Sequence, residues 1–120
     1  MDTLHIFCQL ILGLGILNVW FLRSGRKTSY RGGDATSLKE EFAIYGLPSW
    51  MFVIVGVLKV GAALALLAGI LLPELVRPAA ALMSGLMAGA IAMHVKAKDP
   101  PAKSLPAAIM LALSLILVFT

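Results

Sequence analysis

Cysteine is almost missing: Cys8 stands alone in 120 residues. One thiol excludes an intrachain disulfide, a Cys-x-x-Cys redox pair and a cysteine zinc cluster. Cys8 reads as a small apolar residue. Charge is scarce as well. Charged residues make up 13% of the chain, against about a quarter in soluble domains. A chain this short cannot hide 60% hydrophobic residues in its own interior, and the mean hydropathy is +0.95. A soluble domain is thereby excluded. The sequence also has no phosphate loop, dinucleotide glycine fingerprint or Ser-His-Asp set. Independent enzymatic activity is therefore not expected.

What is present is four long apolar segments. They run from Leu4 to Leu22, Trp50 to Leu72, Pro78 to Val95 and Leu105 to Phe119. A helix needs about 20 residues to cross the hydrocarbon core, and in lipid the backbone must bond to itself. The expected fold is all-α: one domain, a four-helix transmembrane bundle. The first segment is not read as a cleaved signal peptide. Its basic residues follow the apolar run instead of preceding it.

Basic residues set the orientation. Arg23, Arg26, Lys27, Arg31 and Lys39 lie between spans one and two, and Lys96, Lys98 and Lys103 between spans three and four. The opposite side has only Arg77. This bias predicts cytoplasmic loops at 23–49 and 96–104, with both termini outside. The net charge of +4 follows from topology. Nucleic acid is not an expected partner, because the basic residues flank spans instead of forming one face.

Loop one has local order. Ser37 and Glu40 have capping-box spacing, and Leu38, Phe42 and Tyr45 share a helical face. A short interfacial helix is predicted, apolar face toward lipid. Gly46 would close it in a left-handed C-cap. Pro48 would open span two, and Trp50 suits the headgroup level. Asn18 and Trp20 read as interface anchors of span one. The prolines of the turn at 96–106 fix a short connection.

Small residues recur at four-residue spacing: Gly61, Ala65 and Gly69 in span two, Ala81, Gly85 and Gly89 in span three. Such spacing lets membrane helices approach closely. The expectation is tight packing of spans two and three. Gly85 and Gly89 face either a neighbouring helix or a second protomer, as in a homo-oligomer.

Lys59 is the anomaly. It lies nine residues after Trp50, roughly 13 Å into the span. A lysine near the bilayer centre costs about 2.5–3.5 kcal/mol. It either joins an internal polar site, snorkels outward or meets another molecule. Residues at similar depth on the other spans suggest Gln9, Ser84 and Ser114 as its partners. His94 closes span three and is a candidate proton acceptor or hydrogen-bond donor to a ligand. The bland reading of His94 and of His5 is satisfaction by headgroups or water. No metal or haem site is expected from two histidines with no acid nearby.

The segments "FAIYGLPSWMFVIVGVLKVGAALALL" and "LVRPAAALMSGLMAGAIAMHVKAKDP" resemble the DoxX-like family of small bacterial four-helix membrane proteins. The resemblance rests on the Gly46–Pro48 corner, the Gly56–Gly61 segment around Lys59 and the alanine-rich third span ending at His94. It implies a bacterial inner-membrane accessory or assembly protein, without a catalytic residue set of its own, beside a quinone-linked redox enzyme. The basic loop at Arg23, Arg26, Lys27 and Arg31 would dock an acidic partner or anionic lipid. The alternative is an oligomeric transporter of small hydrophobic compounds. Small exporters of that kind use an acid in the first span, where this chain has Gln9, and Lys59 would repel cations.

Overall fold

The computed structural model describes residues 3–22 and 38–120. Five α-helices follow in order: α1 (Thr3–Leu17), α2 (Leu38–Ile44), α3 (Ser49–Ala68), α4 (Val76–Lys96) and α5 (Leu105–Phe119). A π-helical segment, Asn18–Leu22, prolongs α1. Helices α1, α3, α4 and α5, with their flanking turns, are long and apolar enough to cross a membrane. They form a ring in which α1 packs on α3, α3 on α4, α4 on α5 and α5 on α1. The fold is the expected all-α four-helix bundle, and the chain is a multi-pass membrane protein.

The segment limits differ from those read in the sequence. Helix α3 stops at Ala68, and a turn replaces its expected last residues up to Leu72. Helix α4 begins two residues early, at Val76, because the turn at Pro73–Leu75 leads straight into it. Pro78 then sits in the first turn of α4, where a missing N–H costs nothing.

Alanines close the core. Ala62 and Ala63 on α3 and Ala79 and Ala80 on α4 are buried, beside Leu66, Met83 and Leu12. Small side chains allow close backbones without water to drive association. Large apolar residues such as Leu14, Val57, Leu64 and Ile109 face outward, as a lipid-exposed surface requires. The glycines divide into two kinds. A Cβ on Gly13 would lie 2.5 Å from Leu67 Cγ, and one on Gly56 would lie 2.7 Å from the Trp20 ring. A Cβ on Gly69 would lie 2.6 Å from Val76 Cγ2. At Gly61, Gly85 and Gly89 it would meet nothing within 4 Å among the described residues. Within the chain no neighbouring helix packs on those three, and buried alanines close the core instead.

Helix α2 ends as its sequence implies. Gly46 has φ +78°, Leu47 N–H donates to Phe42 O and Gly46 N–H to Ala43 O. This is a Schellman motif. Its apolar face does not lie on lipid alone. Phe42 packs edge-on against Trp20 and Phe52, with centroids 6.4 and 5.5 Å away. Trp20, expected as an interface anchor, closes the group at 5.1 Å from Phe52. Ser37, the expected cap, and Arg23, Arg26, Lys27 and Arg31 lie outside the described residues.

Helix α4 ends with the same motif. Lys98 N–H donates to Val95 O and Asp99 N–H to His94 O. The left-handed position, φ +58°, is held by Lys98. A side chain there costs about 1–2 kcal/mol. Lys98→Gly is expected to stabilise the protein by about 1 kcal/mol, read as a higher unfolding temperature in detergent.

Candidate functional site: a pocket between α3 and α4

Two devices place the site. The Schellman turn of α2 brings Tyr45 and Leu47 over the end of the bundle, and the open Gly85 and Gly89 leave a hollow along α4. The result is a cavity of about 240 Å³ lined by Phe42, Tyr45, Met51, Lys59, Gly85 and Gly89, among others. Its wall is mostly apolar, with Lys59 and Tyr45 as the side chains able to donate hydrogen bonds. Lys59 is part-buried. Its Nζ lies 5.9 Å from the Trp20 ring centroid, near the limit for a cation–π contact. Trp20 lies in the π-helical turn, and its ring packs against Gly56. Lys59 thus faces an aromatic ring on one side and a pocket on the other.

Tyr45 links this pocket to a polar cluster. It is buried, and its hydroxyl lies 3.2 Å from His94 Nδ1. Asp99 Oδ2 is 2.9 Å from that same nitrogen. The His94 and Asp99 side chains are 7% and 5% exposed. Lys103 Nζ lies 3.9 Å from Asp99 Oδ1, and Lys96 Nζ donates to Tyr45 O. The contact of His94 with Asp99 follows from the turn. In a Schellman motif the residue after the left-handed position returns to the one five earlier, often through an apolar contact. Here that pair is Asp99 and His94. The expectation that His94 is satisfied by headgroups or water is corrected: it is buried and bonded within the protein.

This geometry can be set beside known proteins. The DoxX-like family model matches residues 11–117, nearly the whole chain. The chain belongs to the DoxX-like family. No curated protein and no solved structure matches it.

The other expected partners of Lys59 do not line the pocket of this DoxX-like protein. Ser84 Oγ donates to Ala80 O and Ser114 Oγ to Met110 O, each one turn back on its own helix. Gln9 is fully buried, and its Nε2 donates to Leu66 O at 2.8 Å. That carbonyl lies in the last turn of α3, where Ile70 N–H bonds Leu67 O instead. Gln9 therefore caps α3 from a neighbouring helix. Its Oε1 has no hydrogen-bond partner among the described residues. Gln9→Leu is expected to lower stability by about 1–3 kcal/mol, since a buried carbonyl loses its donor. Thermal unfolding in detergent measures this.

At the other end of the bundle is a wider, more open cleft of about 660 Å³, lined by His5, Glu74, Arg77, Leu117 and Thr120 among others. His5 Nε2 bonds the Thr120 hydroxyl there. Among the described residues no group of three or more His, Cys, Asp or Glu could hold a metal ion.

Proposed function

We propose that this protein is an integral membrane accessory protein whose α3/α4 pocket holds the ring of a quinone-type ligand for a partner redox enzyme. The observation that carries this reading is the amine of Lys59 on the wall of an apolar cavity beside two glycines. A quinone is flat and carries carbonyl acceptors. Lys59 and Tyr45 supply donors, while Gly85 and Gly89 let a ring approach the α4 backbone. The volume suits one ring, and a prenyl tail would pass out to lipid. When bound, a quinone would supply two-electron chemistry. The basic bias supports an orientation with the α2 end toward the cytoplasm, in keeping with the bacterial inner membrane of this reading. There the loop with Arg23, Arg26, Lys27 and Arg31 would meet an acidic enzyme or anionic lipid.

Fluorescence tests this directly. Trp50 is exposed and Trp20 sits beside Lys59. In a Trp50→Phe background, a short-tailed quinone is expected to quench Trp20 saturably. Gly85→Leu fills the hollow and is expected to abolish saturation. Linear, non-saturating quenching of the parent would sink the reading.

A second reading, an oligomeric transporter of hydrophobic compounds, draws on the open face at Gly61, Gly85 and Gly89. In that case Gly85→Leu would change the oligomeric mass as well as the quenching.

A further inference from the structure

We propose that His94 and Asp99 form a proton-accepting pair that acts through the Tyr45 hydroxyl. The pocket's ligand is then a ring that gives up a hydroxyl proton there, such as a quinol or an acidic hydroxyquinone. This rests on the pocket reading above and extends it.

The argument begins with burial. Tyr45, His94 and Asp99 all place polar side chains where water hardly reaches. Fastening the turn does not require this, because an apolar pair does so in many helices ending this way. Connectivity comes next. Tyr45 lines the pocket, and its hydroxyl and the Asp99 carboxylate converge on a single atom, His94 Nδ1. Nδ1–H donates to the carboxylate at rest, so a proton arriving from the phenol replaces the one handed to Asp99 with no ring flip. Lys103, beside Asp99 and 23% exposed in its side chain, marks the route to the surface.

The step balances simply. The proton on Nδ1, donated to Asp99 at rest, moves to the carboxylate as Tyr45 gives its own to Nδ1 and the ligand O–H gives its proton to the Tyr45 oxygen. One proton leaves the ligand, one arrives at the carboxylate, and no electron moves. The ligand becomes an anion in a pocket that contains Lys59. Among the described residues, the charged and titratable groups around His94 are Tyr45 from the α2 end, Lys96 on α4, and Asp99 and Lys103 on the following turn. Tyr45 would touch the ligand; His94 and Asp99 are positioning residues.

The probe is 2-hydroxy-1,4-naphthoquinone, whose anion is coloured. Bound to the parent protein at fixed pH, it is expected to show an anion-to-neutral ratio about tenfold above that with Asp99→Asn or Tyr45→Phe. His94→Gln should match those variants, and Asp99→Glu should restore part of the ratio. Trp20 quenching reports binding separately, and circular dichroism reports folding. If Asp99→Asn does not fold, Tyr45→Phe carries the comparison, since it removes one oxygen and keeps the ring. Equal ratios in folded, probe-binding parent and variants would overturn the relay and leave a structural latch. A parent that binds no probe would overturn the pocket reading and the relay together.

Discussion

Gly13→Val is expected to leave little folded protein. A single Cβ at Gly13 would already stand 2.5 Å from Leu67 Cγ, with both Leu67 Cδ atoms within 3.1 Å. The clash involves the branch point of the leucine, not its flexible tip, so rotation of an end group cannot relieve it. Valine adds two methyl groups to that overlap. Overpacking of this kind costs about 1–3 kcal/mol, occasionally more, and here it pushes α1 off α3. The Gln9 cap on Leu66 lies one turn away on the same seam and would be lost with it. Gly61→Ala makes the contrast. Nothing lies within 4 Å of the added Cβ, and alanine favours helix by up to about 1 kcal/mol. Detergent-solubilised yield and unfolding temperature should fall sharply for Gly13→Val. They should hold or rise for Gly61→Ala.

Lys59→Leu is expected to separate stability from binding. Removing an amine from mid-span relieves a cost of about 2.5–3.5 kcal/mol, offset by the loss of its contact with Trp20 and of its other contacts. The unfolding temperature should therefore change little. A hydrogen bond from a charged donor contributes about 1.5–3 kcal/mol. Its loss should weaken quinone binding roughly tenfold to a hundredfold, read by Trp20 quenching in the Trp50→Phe background. A residue kept for packing would show the reverse, with stability falling and binding unchanged. Lys59→Arg keeps the charge but adds a rigid planar head, and should recover only part of the affinity.

The spans were legible because lipid leaves few choices. Long apolar runs must become helices, and the loops between them carry most of the charge. The Gly46–Pro48 corner was legible for a local reason: glycine takes a positive φ and proline opens a helix. Lys59 was legible as an anomaly, but not its surroundings. Counting residues along each helix gives depth, whereas rotation about the axis decides what faces the lysine. Ser84 and Ser114 share its depth, yet each bonds its own helix. Gln9 looked like part of a polar site and is a cap on α3. The close approaches at Gly13 and Gly56 depend on Leu67 and Trp20, distant in sequence, so spacing pointed instead to Gly61, Gly69, Gly85 and Gly89, of which Gly69 is closely packed within the chain. Asp99 escaped notice because its turn contains no glycine. With Lys98 in the left-handed position, nothing local announced that Asp99 folds back onto His94. The "HVKAKD" spacing alone could have raised the pair, since a Schellman turn joins residues five apart.

The central claim is that the Lys59 pocket carries a ligand for a redox partner. The most direct measurement is mass spectrometry of the protein isolated in mild detergent from its native membranes, alongside Lys59→Leu prepared identically. The account predicts a retained quinone and an oxidoreductase in stoichiometric amount with the parent, and loss of the quinone from Lys59→Leu. A homo-oligomer carrying only bulk lipid, the same for both proteins, would contradict it.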